Sequence, residues 1–295
     1  MHPRQIGVEE EFQLIDVRTR RLVPRAPALL ARLSDASYVA EMQRCVVEAN
    51  SAVHTRLAAL RADLQAKRAF LVSTAATMGL GVVAAGSVPL AVREEIRVTE
   101  TPRFRRMLTD YQLLAHEQLI CGTQVHVEIF DRDEAIRVAH RVAAHLPLFL
   151  ALSASSPFWP DGSDTGYSSV RPLMWIRWPT SGPAAPVSSA AEYDRLVADL
   201  VSSGVITDPG MVYFDVRPSS HLPTLELRVC DSCPSVDTIT LVTGLYRALV
   251  DREVAAVRAG DANPVPSSQI YRQLPRSKTW RRSLTARCFS RRSAK

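Results

Sequence analysis

Three short segments carry polar residues at every second position, where a strand in a folded core carries apolar ones: residues 7–12 (GVEEEF), 122–128 (GTQVHVE) and 224–229 (TLELRV). In a strand, residues i and i+2 share a face. Glu9 and Glu11 therefore point together, as do Gln124, His126 and Glu128, and Glu226 with Arg228. The residues between them are mostly Val, Leu or Phe, which pack on the opposite face. Strands that offer hard oxygen or imidazole donors to one side read as the wall of a divalent-cation and phosphate site.

The remaining pattern alternates helices with strands. Residues 7–16 read as a strand, 17–25 as a turn and second short strand, and 27–33 as a short helix. Residues 51–77 form an amphipathic helix, with Leu57, Leu60, Leu64 and Leu71 at helical spacing and Arg56, Arg61, Lys67 and Arg68 outside. A strand follows over 80–85, a helix over 104–119, and a strand over 123–130. Helices over 133–144, where Asp131 or Asp133 can cap, and over 147–153 come next. Residues 153–186 are dense in Ser, Pro, Gly and Trp, a long loop of the kind that usually serves function. A helix over 191–202, strands over 212–217 and 224–229, and a helix over 236–258 complete the pattern. The strands alternate more than parallel strands do. The fold class is α+β, a mainly antiparallel sheet whose polar face is the site.

Glu41 and Glu48 lie seven residues apart between the first strand and the long helix. Seven helical steps return to within about 20° of the start. A helix over this stretch presents both carboxylates on one side, either as a solvated face or as paired ligands.

The 46% apolar and 22% charged residues exclude global disorder. The net charge of +6 comes from the end of the chain: residues 276–295 hold eight basic residues and no acidic one, and without them 28 basic residues face 30 acidic ones. A nucleic-acid role would have to be carried by that tail. Five cysteines make no disulfide framework, and Cys230-Asp-Ser-Cys233 reads as small residues ending a strand more readily than as half a zinc site. No secretory pattern opens the chain, and the uncharged run 70–92 holds Gly79, Gly81, Gly86, Ser87 and Pro89, which fit a buried helix-to-strand passage better than a membrane span. The expected compartment is the cytoplasm.

Together these motifs resemble the carboxylate–amine ligase family, the type 2 glutamate–cysteine ligases, within the glutamine synthetase-like superfamily. The resemblance is carried by GVEEEF (7–12), QVHV (124–127), LSASSPFW (152–159), DTGY (164–167) with Arg171, DVRPS (215–219) and PTLELRVCD (223–231), and spans Ile6 to about Pro266. It implies a curved antiparallel sheet with a carboxylate-lined concave face, backed by helices, in one catalytic domain over 1–266. It implies ATP, with Mg²⁺ or Mn²⁺, and a reaction that joins glutamate to an amine such as cysteine through an acyl phosphate. It further implies two cation groups: Glu11, Glu41 and Glu48 on the amino-acid side, and Glu9, Glu226 and either Gln124 or His126 at the ATP phosphates. Arg228 would contact the transferred phosphoryl group, and Arg217 and Arg171 a substrate carboxylate or phosphate. Relatives imply a homodimer; no membrane or nucleic-acid partner is expected.

The chain departs from this pattern twice. Gln124 stands where the superfamily places a ligating histidine, and Glu128 where a small residue is common. Residues 267–295 turn Arg/Ser-rich after Trp280-Arg281-Arg282, as a truncated or frame-shifted end would. Both leave open a rival: a homologue that binds nucleotide or amino acid without turnover.

Overall fold

The computed structural model describes residues 2–88, 90 and 97–261; the basic tail lies outside the described residues. Its centre is a seven-stranded sheet. The strands are β1 (Ile6–Asp16), β2 (Tyr38–Ala40), β3 (Val46–Asn50), β4 (Leu80–Val83), β5 (Thr123–Glu128), β6 (Val216–Pro218) and β7 (Thr224–Leu227). Their order is β2-β3-β1-β5-β7-β6, with β4 paired to the far end of β1, and every pairing is antiparallel.

The helices among the described residues are α1 (Ala26–Leu30), α2 (Leu57–Ala76), α3 (Pro102–Tyr111), α4 (Leu113–His116), α5 (Arg132–Ala143), α6 (Leu146–Ser153), α7 (Arg171–Trp175), α8 (Ala190–Ser202) and α9 (Val236–Ala259). Local chemistry sets several ends. Asp131 accepts from the Glu134 amide at 3.0 Å to start α5, Ser235 accepts from the Asp237 amide to start α9, and Gly260 ends α9 at φ +77°.

The apolar face of the sheet makes the main core. Ile6, Val8, Val125, Val127, Leu225 and Leu227 pack on Leu60 and Leu64 of α2, Val138 and Val142 of α5, and Val242 and Tyr246 of α9. At roughly 1.5–3 kcal/mol for each such side chain, this face supplies the drive that holds the opposite, polar face open. Glu10 points into this side and is 1% exposed. Arg68 of α2 meets it at 2.5 Å and donates to the Cys233 and Pro234 carbonyls, so Arg68 is an internal counter-ion, not a solvated residue.

Several expectations change. Residues 41–48 are not helical: β2 and β3 form a hairpin, with Val39 opposite Glu48, and the reversal carries Glu41 back beside Glu48. The seven-residue spacing is therefore not what unites them. The helix expected over 104–119 breaks at Gln112, where φ is +44°, into α3 and α4. Residues 17–25 form a turn with a lone bridge between Ile15 and Leu22 instead of a second strand. The strand expected over 212–217 is β6, four residues later at its start, because a short 3-10 turn occupies Pro209–Met211. The passage after Phe70 runs from α2 into β4 as expected. No single helix among the described residues is long and apolar enough to cross a membrane. Cys230 and Cys233 are buried free thiols.

Candidate functional site

The strand register builds the site. Glu11 faces Glu48 across β1 and β3, Glu9 faces Asn50 and Gln124, His126 faces Gly7 and Glu226, and Glu226 faces Arg217. These rows bring the polar residues of five strands to one face, and the β2–β3 turn adds Glu41.

Two three-residue groups result. Carboxylate oxygens of Glu11, Glu41 and Glu48 lie within 4.8 Å of one another, as do ligand atoms of Glu9, His126 and Glu226. Octahedral Mg²⁺ with bonds of about 2.1 Å places its ligands about 3 Å apart in cis and about 4.2 Å in trans, so either group fits one hard cation. Of the two residues expected as alternatives for the second group, His126 lies beside Glu9 and Glu226. Its Nε2 sits 3.1 Å from Glu9 and its Nδ1 2.9 Å from Thr224 Oγ1. Gln124 instead donates its amide to Glu11 at 2.9 Å, and the Gly122 amide donates to the other Glu11 oxygen at 2.6 Å. Gln124 Oε1 is left buried without a protein partner. Glu128 lies at the end of its strand, where its carboxylate accepts from the Gln5 amide, and joins neither group.

The electrostatics separate the two groups. Burial, and then the charge of Glu11, push Glu41 up to about 7. Burial and the carboxylates of Glu41, Glu9 and Glu11 push Glu48 well above the ordinary carboxylate range. Ionising Glu41 and Glu48 together is therefore costly without a positive partner. Burial alone would raise Glu226, but Arg228, Arg217 and His126 hold it well below the usual range. Burial pulls His126 down, yet its hydrogen bond to Glu9 and the charges of Glu226 and Glu9 outweigh that and leave it raised.

A pocket of about 220 Å³ opens over the first group, lined by Glu9, Glu11, Glu41, Glu48, Gln124, Arg171 and Arg228 among others. Arg228 pairs with Glu226 and lies 6.0 Å above the Trp175 ring. Arg171 is 3% exposed, lies 5.4 Å over the same ring, and donates to the Arg228 and Val229 carbonyls at 3.3 Å. It needs the space left by Gly122, where a Cβ would stand 2.5 Å from Arg171 Nη2. Arg217 does not reach this pocket: its guanidinium bonds Glu226 Oε2 at 2.8 Å and the Val212 carbonyl.

The Ser-rich loop anchors the Arg171 side. Asp231, fully buried, accepts from the Ser155 amide at 2.9 Å and from the Ser156 and Ser169 hydroxyls at 2.7 and 2.9 Å. Trp175 and Trp178 form part of the pocket wall, together with Arg103, Phe104, Met107 and Tyr213. These four carry no motif or spacing that marks them; α3 and the segment before β6 bring them in only through tertiary packing.

Comparison with known proteins shows the family and the fold. Residues 5–294 match the family model described as Glutamate-cysteine ligase family 2 (GCS2), a match that runs past Pro266. The chain is 63% identical over 279 residues to a Mycolicibacterium smegmatis protein named "Putative glutamate--cysteine ligase 2-2", covering 95% of this chain and 69% of that one. Identity is also 63% to the Rhodococcus jostii "Putative glutamate--cysteine ligase 2-3", of which the chain spans 35%. Among solved structures, the fold matches a bifunctional glutathione synthetase from Pasteurella multocida, with a TM-score of 0.66 at 15% identity over 88% of this chain and 40% of that one. It also matches a Francisella tularensis glutamate–cysteine ligase in complex with AMP, with a TM-score of 0.63 at 13% identity over 92% of this chain and 70% of that one. By the span of the profile match and the identity to its relatives, the chain belongs to glutamate–cysteine ligase family 2.

Proposed function

We propose that this chain carries the catalytic centre of an ATP-dependent carboxylate–amine ligase acting in the cytoplasm on glutamate and an amine, cysteine by family membership. The supporting observation is the pair of three-ligand groups on one sheet face, with Arg228 lining the pocket beside them. A carboxylate must attack the γ-phosphorus of ATP, and both are anionic. Glu11, Glu41 and Glu48 would hold one Mg²⁺ and Glu9, His126 and Glu226 another; bound there, the ions supply charge neutralisation and Lewis acidity.

The chain's own residues do the rest. Arg228 turns from Glu226 toward the phosphoryl group in transfer. Arg171, pinned by two carbonyls and stacked on Trp175, holds a substrate carboxylate. The γ-carboxylate oxygen bonds to phosphorus as ADP leaves. The amine nitrogen then bonds to the acyl carbon, phosphate leaves, and the nitrogen loses a proton. Trp175, Trp178 and Tyr213 wall the pocket and exclude water, which would otherwise hydrolyse the acyl phosphate.

The test is ADP release with Mg²⁺, ATP, glutamate and a panel of amines. The expected result is release that requires both glutamate and an amine and is abolished by Glu9→Ala and by Glu226→Ala. ATP binding without release under any amine would favour the non-catalytic homologue, a reading that Gln124 supports because its amide already occupies Glu11. Absence of nucleotide binding would refute both.

A further inference from the structure

Glu226 is 2% exposed and has a guanidinium on each oxygen: Arg228 on Oε1 and Arg217 Nε on Oε2 at 2.8 Å. The two arginines are held differently. Arg228 borders the pocket over Glu11, Glu41 and Glu48, and its Nε is buried without a protein partner. Arg217 stands directly opposite Glu226 in the β6–β7 register, is also tied to the Val212 carbonyl, and faces away, lining a second cavity of about 560 Å³. Thr224 lines the same second cavity, and its hydroxyl meets His126 Nδ1 at 2.9 Å. The Glu9–His126–Glu226 group therefore lies between the two spaces. Two of its three members are gripped from behind by side chains of the β6–β7 hairpin.

We infer that Arg217 and Thr224 are positioning residues for this group. The inference rests on the ligase reading above. When Arg228 leaves Glu226 for the phosphoryl group, a buried carboxylate would lose its counter-charge and its fixed rotamer. Arg217 keeps both. A cation bound at His126 Nε2 requires the proton on Nδ1, and Thr224 Oγ1 accepts the hydrogen bond that selects this tautomer and ring angle. Arg228 is thereby free to move, while Arg217 is the fixed half of the clamp.

Mn²⁺ titration of the full chain, followed by the electron paramagnetic resonance signal of free Mn²⁺, tests this without turnover. Wild type is expected to bind two ions. Arg217→Met should weaken one of them by about tenfold to a hundredfold and leave the other unchanged, the usual effect of losing a residue that orients a ligand. Arg217→Lys should recover part of the loss. Thr224→Val, nearly isosteric, should weaken the same ion to a lesser degree and stands in if Arg217→Met does not fold. Arg228→Met should keep both ions. Wild-type affinity at both sites in Arg217→Met and Thr224→Val, or equal loss in Arg217→Met and Arg228→Met, would overturn the inference and leave the ligase reading intact. Absence of Mn²⁺ binding by wild type would overturn both.

Discussion

Glu41 and Glu48 make the unliganded protein sensitive to pH in a direction opposite to ordinary acid denaturation. Glu41 rises from 4.5 to about 7 in the fold. Below 4.5 the carboxyl is protonated in both the folded and the unfolded chain and contributes no difference. As pH climbs past 4.5 the unfolded chain releases the proton first, and stability falls until the folded group ionises near 7. At about 1.4 kcal/mol per pKa unit, the ionised Glu41 costs the fold on the order of 3 kcal/mol. A domain of this size loses about 2–4 °C of Tm per kcal/mol, so the fall is roughly 6–12 °C between pH 5 and pH 8. His126, also raised, adds to the fall, whereas Glu226, held low, acts only at acid pH. Comparison with Glu41→Gln therefore isolates the acidic group. Thermal melts in metal-free buffer should show the fall in wild type and a smaller one in Glu41→Gln, where the raised Glu48 and His126 remain. Millimolar Mg²⁺ at pH 8 should restore the wild type and not the variant. A wild-type Tm that is flat or rising from pH 5 to pH 8 without metal, or a variant with the same slope, would refute the reasoning.

Other substitutions separate site from scaffold. Gly122→Ala places a methyl 2.5 Å from Arg171 Nη2 and should raise KM for the carboxylate substrate about tenfold or more while leaving Mn²⁺ binding intact, as steady-state kinetics and titration would show. Arg68→Ala leaves Glu10 buried without a counter-ion and should cost about 3–5 kcal/mol in urea unfolding, with the cation sites unaffected in whatever fraction remains folded. Asp231→Ala removes the acceptor of three hydrogen bonds from the Ser155, Ser156 and Ser169 positions; limited proteolysis between α6 and α7 should become faster in this variant.

The alternating strands were the legible part of this chain. The period of two in residues 7–12, 122–128 and 224–229 identifies the site face because every apolar neighbour has to be buried on the other side, and the fold obeys that. Residues 41–48 were legible only in outcome. Glu41 and Glu48 do meet, but through a hairpin whose turn carries neither an Asn-Gly nor a Gly to announce it, so the helical spacing looked sufficient. Arg217 shows a third limit. Its charge and motif mark it as a ligand for an anion, and it is one, but the anion is Glu226 of its own chain. No periodicity distinguishes an arginine that binds substrate from one that orients a ligand, since the difference lies in which cavity the strand edge faces.

Glu9, Glu10 and Glu11 show why the polar face needs more than protein to complete it. Consecutive residues of one strand place the same carboxylate on opposite sides of the sheet. Glu10, on the core side, is matched by Arg68 and by nothing else charged that the fold must explain. On the site side, Glu9, Glu11, Glu41, Glu48 and Glu226 converge, while Arg217 and Arg228 both serve Glu226 and Arg171 is tied to backbone carbonyls. The hydrogen bonds that Glu11 and Glu9 accept from Gly122, Gln124 and His126 orient these carboxylates but do not neutralise the acidic excess. A fold that neutralises Glu10 with Arg68 and leaves Glu9, Glu11, Glu41 and Glu48 facing a common pocket is arranged to accept cations there, and in the proposed ligase reading Arg228 leaves Glu226 only when such a positive charge takes over.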